Sequence, residues 1–130
     1  MPWFRPHWLG RRGERIAGSF LKRRGYRILA RSFRSPLGEI DLICLSQGVL
    51  VFVEVKTRSS AERGEPWEAV DRRKQRRITR AAVGYAQRAK MADRPIRFDI
   101  IAITLPDRWW EKPRIDHFED AFEAQGPWSL

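Results

Sequence analysis

The sequence predicts an α/β protein in which one mixed β-sheet is flanked by helices, and three observations carry that expectation. An amphipathic basic stretch at residues 12–24 has helical spacing. Two short apolar runs on either side of Ser46-Gln47-Gly48 read as a hairpin. A long basic helix follows, and then a third apolar run, so helical and extended segments alternate along the chain. With 130 residues there is room for one domain, 1–130, and one modest core.

Each element has a local reason. Residues 1–10 lack a regular pattern and are expected to be flexible. From Arg12 to Arg24, Ile16, Ala17, Phe20 and Leu21 form the inward stripe of a helix, and Glu14, on the row of Ala17 and Leu21, borders it. As an acid in the first turn, Glu14 also suits the helix dipole. In the next strand, Gly38–Ile43 (GEIDLI), alternation puts Glu39, Asp41 and Ile43 on one face and Ile40 and Leu42 on the other. Its partner, Val51–Thr57 (VFVEVKT), puts Glu54 and Lys56 on one face and Val51, Val53 and Val55 on the other. Residues 58–66 are polar and turn-rich, which predicts a mobile loop. Trp67–Lys90 predicts the longest helix, with Val70, Lys74, Ile78, Ala81, Ala82 and Tyr85 inward and Arg72, Arg73, Arg76, Arg77 and Arg80 on other faces. Ile96–Thr104 predicts a strand in which Asp99 supports the sheet, and Ile115–Phe118 a short one. His7 and His117 are isolated, and Trp109 and Trp110 are expected to pack over the core.

The chemistry concentrates in the hairpin. If Gln47 and Gly48 form a two-residue loop, Ser46 pairs with Val49, and counting back puts Asp41 opposite Glu54 and Glu39 opposite Lys56. A four-residue loop keeps this register, whereas an unbulged three-residue loop breaks it. Facing carboxylates repel, so the pair is tolerable mainly with a cation between them, and a hard oxygen-seeking ion such as Mg²⁺ suits the site. An alternating charge pair that guards a sheet edge has the same E-x-K spelling.

An Asp, a hairpin's length of chain and then Glu-x-Lys resembles the PD-(D/E)xK nuclease superfamily, to which restriction endonucleases and archaeal Holliday-junction resolvases belong. The whole chain resembles the YraN-like family of small bacterial proteins. That layout runs from Gly13-Glu14 and Ala17 through Gly25-Tyr26, GEIDLI, VFVEVKTR and Ala69-Val70 to Lys74, Arg97-Phe98-Asp99 and Ala121-Phe122. Ser32 stands where the family usually has Asn, outside the expected metal site, and Ile40 replaces the superfamily's usual Pro. The resemblance implies a restriction-endonuclease-like fold with an α-β-β-β-α-β core. It implies Mg²⁺ or Mn²⁺ held by Asp41, Glu54 and the Val55 carbonyl, Lys56 orienting the attacking water, and Glu14 joining the metal or its waters. The implied activity is hydrolysis of DNA phosphodiester bonds, with branched or junction DNA as the substrate that the likeness to resolvases implies, and a two-fold dimer would suit a resolvase.

Composition agrees with a partner that is nucleic acid. Net charge is +10, and Arg11, Arg12, Arg58, Arg72, Arg73, Lys74, Arg76 and Arg77 are the expected phosphate contacts. The single cysteine, Cys44, sits in the apolar hairpin and suits a reducing cytoplasm, and no apolar stretch approaches the ~18 residues of a membrane span. A nucleic-acid-binding module without catalysis, or a basic assembly protein for an acidic partner, would carry the same charge.

Overall fold

The computed structural model describes residues 7–60 and 64–126. Its elements are α1 (His7–Arg23), β1 (Arg27–Ser35), β2 (Gly38–Ser46), β3 (Val49–Ser59), a 3₁₀ turn (Pro66–Ala69), α2 (Arg72–Arg88), β4 (Ile96–Leu105) and β5 (Arg114–Phe122). The α-β-β-β-α-β order is therefore observed, with one strand added. The sheet runs β1-β2-β3-β4-β5 in space, parallel at β3–β4 and antiparallel elsewhere, so it is the mixed sheet of an α/β protein. No helix among the described residues is long and apolar enough to cross a membrane.

The two helices cover opposite faces of the sheet. Ala17 and Leu21 of α1 pack with Leu42, Cys44, Val51, Val53, Ile101 and Ile103. On the other face, Ile78, Ala81, Ala82 and Ala86 of α2 pack with Ile43, Leu50, Phe52, Phe98 and Ile100. Covering both faces explains why β3 and β4 are apolar at successive positions. Burial pushes the Cys44 thiol up to about 12, so it behaves as a small apolar group.

The hairpin forms at the predicted loop. Gln47 and Gly48 both have positive φ, 50° and 80°, as a two-residue hairpin loop of the primed type requires, and Ser46 pairs with Val49. Other boundaries move. Pro66 starts a separate 3₁₀ turn and Asp71 caps α2, accepting from Lys74 N at 2.8 Å, so the predicted helix over 67–90 breaks at Val70-Asp71. Arg58 and Ser59, predicted as loop, extend β3 alongside Thr104 and Leu105; residues 61–63 lie outside the described residues. Helix α1 begins at His7, inside the stretch expected to be flexible, while residues 1–6 lie outside the described ones. The last strand runs over nine residues rather than four. Trp109 and Trp110 do not pack over the core: they are 88% and 62% exposed and meet edge to face.

Asp99 takes the supporting role predicted for it. Fully buried, it accepts from both Nε and Nη2 of Arg97 and from Asp120 N at 2.9 Å, and shares a 2.8 Å hydrogen bond with His117 Nε2. Burial opposes its ionisation, but these partners outweigh that and hold its carboxyl below the usual range. His117 is thus anchored rather than isolated.

Gly13 sets how closely α1 approaches the sheet. A Cβ there would stand 1.7 Å from the Oγ1 of buried Thr57 on β3, whereas one at Gly10 meets nothing within 4 Å. Gly13→Ala should therefore cost roughly 1–3 kcal/mol by forcing the helix off the strand, while Gly10→Ala should gain roughly 0.5–1 kcal/mol from helix propensity. Urea unfolding of both variants checks this, and equal effects would mean that α1 has room at Gly13.

Candidate active site in a fork of the sheet

The functional residues sit where the sheet divides. The β2–β3 ladder keeps the predicted register from Ser46↔Val49 to Leu42↔Val53 and stops there. Beyond that point β2 remains paired with β1 as far as Gly38, and β3 remains paired with β4 as far as Ser59. Asp41 and Glu54 would be the next pair, and they lie at the mouth of the resulting fork.

An added residue in each of two strands redirects Asp41. Residues two apart in a strand share a face, yet Ile40 packs on the α2 side with Ile43, and Leu42 packs on the α1 side. The predicted grouping of Ile40 with Leu42, and of Asp41 with Ile43, is therefore wrong. The same slip occurs in β1, where Ala30 and Phe33, three apart, both lie on the α2 side. Between them Ser32 adopts left-handed backbone, φ 46°. Because both strands gain a residue at the same level, Arg31↔Leu42 and Phe33↔Ile40 stay in register across the irregularity.

Asp41 consequently reaches across the fork, and its Oδ2 accepts from Val55 N at 2.7 Å. This replaces the ladder bond that β2 no longer supplies. A strand residue's N–H and C=O point to the same side, so the Val55 carbonyl is directed toward the fork as well. Burial first, then the neighbouring Glu54 carboxylate, raises the Asp41 carboxyl far above the usual range, to about 9. The Val55 N–H bond pulls the other way but does not win.

Glu54 and Lys56 face the α2 side, as alternation predicts. Glu54 Oε2 is buried without a hydrogen bond of acceptable geometry; the Lys74 ammonium of α2 lies 2.5 Å away as its charge partner. Lys74 thus contributes to the site and is not merely a stem over the core. Glu14 arrives from α1 and accepts from Ser32 Oγ at 2.8 Å. The sequence reading set Ser32 outside the site, but it positions one of the site's acids. Glu14, Glu39, Asp41, Glu54, Lys56 and Lys74 all line one cavity of about 320 Å³, with the Val55 backbone alongside.

The predicted phosphate contacts divide into groups. Arg72, Arg73, Arg76 and Arg77 are exposed on α2, and Arg11 and Arg12 are exposed on α1. Arg77 shares with Lys74 an adjoining cleft of about 410 Å³. Arg58 is engaged locally, donating from Nη1 to Gly64 O at 2.5 Å and from Nε to Thr104 Oγ1 at 3.4 Å. Sequence reasoning missed the bond from Asp41 to Val55 N, the role of Ser32 and the pairing of Lys74 with Glu54.

The raised Asp41 carboxyl has a consequence for stability. A carboxyl whose folded pKa of about 9 exceeds its unfolded value of 3.8 contributes stability below pH 4 that is lost as pH rises toward 9. Asp41→Asn keeps the shape without the titration. In metal-free buffer its melting temperature relative to wild type should climb by several degrees between pH 4.5 and 8.5, and a constant difference across that range would exclude the raised carboxyl.

Comparison with known proteins places this site in a family. Residues 13–103 match the sequence signature of Uncharacterised protein family UPF0102. A UPF0102 protein of Geobacter sulfurreducens is 48% identical over 117 residues, 88% of each chain. One of Chlorobaculum parvum is 46% identical over 120 residues, 90% of this chain and 93% of its own, and one of Anaeromyxobacter dehalogenans is 44% identical over 118 residues, 91% and 86%. The matched span contains Glu14, Asp41, Glu54, Lys56 and Lys74, and with it the fork that brings them together; the chain belongs to the UPF0102 family.

Proposed function

We propose that this protein is a metal-dependent endonuclease that hydrolyses phosphodiester bonds in DNA. The observation that carries the reading is a pair of carboxylates, Asp41 and Glu54, held within hydrogen-bonding reach in a fork, with a lysine two residues along the same strand. Asp41 replaces one lost ladder bond at Val55 N, but the pair itself stays outside the ladder and leaves a buried oxygen of Glu54 without a hydrogen bond.

The donor set fits a small hard cation. Among the described residues no group of three or more His, Cys, Asp and Glu side chains forms a metal cluster. Mg²⁺, however, commonly takes one or two carboxylates and completes its shell with water and substrate phosphate oxygens. Asp41, Glu54 and the Val55 carbonyl would hold it, and it would polarise the phosphate and acidify a bound water. Lys56 then holds the attacking water and offsets charge that develops on the phosphate oxygens. Lys74, 42% exposed at the rim, offsets the charge of Glu54 in the free protein and turns to the phosphate when substrate arrives. Glu14, steadied by Ser32, orders water at the far wall. Exposed arginines on α1 and α2 flank these acids and supply sequence-independent grip on the backbone. Branched DNA in the cytoplasm, cut by a two-fold dimer, is the setting in which this chemistry is best sought.

A second reading has its own support. The Lys74–Glu54 contact already balances the acids without a cation, as a non-catalytic nucleic-acid-binding module would require. Incubating the protein with single-stranded, duplex, flapped and four-way DNA, with and without Mg²⁺ or Mn²⁺, separates the two. Cleavage only with the cation supports the nuclease, and binding with no cleavage on any substrate supports the module.

Two variants sharpen the test. Asp41→Ala with Glu54→Ala should abolish Mn²⁺ binding in calorimetric titration, and unchanged affinity would remove this site from consideration. Lys56→Ala should reduce cleavage by a factor on the order of 10² or more while DNA affinity changes little. Lys56→Arg should rescue poorly, because a planar guanidinium is shaped unlike an ammonium.

A further inference from the structure

A second cleft adjoins the acid cavity and is lined by bases. It lies between α1 and the start of the sheet, holds about 400 Å³, and is lined by Arg11, Arg15, Ser19, Arg31, Ser32 and Glu14. Arg11, Arg15 and Ser19 fall at i, i+4 and i+8 of α1, so they form one row along the helix. Gly18 lies beside that row. A Cβ there would stand 2.5 Å from Arg31 Nη1, so the bare glycine lets the β1 arginine lie against the helix next to Arg15.

Neighbouring clefts share lining residues. Glu14 belongs to both the acid cavity and the arginine cleft. Arg15 and Ser19 in turn belong to the arginine cleft and to a shallower one beyond it that reaches Arg23 and Lys112. On the opposite flank, Glu39 and Lys74 join the acid cavity to the cleft of Arg77. Basic walls thus run away from the acids in both directions.

We propose that the Arg11–Arg15–Arg31 cleft is a phosphate-binding subsite for the same nucleic-acid strand whose bond lies at the fork. The inference rests on the nuclease reading for the strand's position, and on the cleft alone for its chemistry. Arginine forks bind phosphate oxygens in pairs, and the Ser19 hydroxyl, with that of Ser32 when it is not given to Glu14, adds neutral donors. The Glu14 carboxylate, occupied by Ser32 Oγ, stands at the boundary, where it excludes the phosphate from the acid end and keeps the register between the two sites. Recognition here is of backbone and not of base, so this flank contributes affinity without sequence preference.

The test measures binding in EDTA, where cleavage plays no part. Fluorescence anisotropy of labelled single-stranded and four-way DNA over a salt series compares wild type with Arg15→Ala/Arg31→Ala, with Arg31→Lys, and with Arg94→Ala in the turn before β4 as a charge control. Loss of two phosphate contacts should lower the slope of log affinity against log salt by roughly 1.4–1.8 and weaken binding tenfold or more near physiological salt. Arg31→Lys should recover the slope but only part of the affinity, and Arg94→Ala should change neither. Circular dichroism confirms that each variant is folded. A slope that stays at the wild-type value overturns the subsite, even if wild type cuts DNA. A lowered slope upholds it, even if no substrate in the panel is cut, in which case only the nuclease reading falls. Equal binding of polyglutamate, with the same dependence on Arg15 and Arg31, would assign the cleft to an acidic protein and overturn the proposal.

Discussion

Two carboxylates cannot sit charged, face to face, in a closed sheet, and the architecture of this protein follows from how that constraint is met. The hairpin register would set Asp41 against Glu54, and the ladder stops one pair short of them. The sheet opens there instead of closing. Asp41 spends one oxygen on the Val55 N–H that the lost ladder bond would have left unpaired, and burial beside Glu54 raises its carboxyl far above the usual range. A buried polar group left without a partner costs about 1–3 kcal/mol, so this exchange of a ladder bond for a side-chain bond allows the fork to exist in a stable sheet.

The surroundings of the fork combine close packing with adaptable charge. Gly13 lets α1 approach β3 at Thr57, which brings Glu14 to the rim. On the other face α2 supplies Lys74 from its first turn, just beyond the Asp71 cap. The acids are therefore enclosed by one helix from each side of the sheet, and Lys74, the charge partner of Glu54, stays partly exposed. That arrangement is what the proposed cation and phosphate ligands would require.

A second acid of the sheet is held differently. Asp99 draws Arg97, His117 and the Asp120 amide around one buried carboxylate, and Arg97 passes a 2.7 Å bond on to the Tyr26 hydroxyl. This network ties Tyr26, just before β1, to β4 and β5, and both oxygens of Asp99 are used. Its complete hydrogen bonding contrasts with Glu54, whose Oε2 has the Lys74 ammonium as charge partner but no hydrogen bond of acceptable geometry.

By itself the sequence determined what is local. The Gln47-Gly48 loop set the hairpin register, alternation along VFVEVKT put Glu54 and Lys56 on one face, and 3.6-residue spacing placed Ala17, Leu21, Ile78 and Ala82 in the core. Each of these needs only neighbours within a few residues. Tertiary structure decided the rest: where the ladder ends, the matched slips at Ser32 and Asp41, the choice of Lys74 as the partner of Glu54, and the pairing of Asp99 with His117. No periodicity encodes these, because each joins segments some ten to twenty residues apart whose meeting depends on both helices having already packed. A slip in one strand also looks like an error in alternation until the neighbouring strand is seen to slip with it.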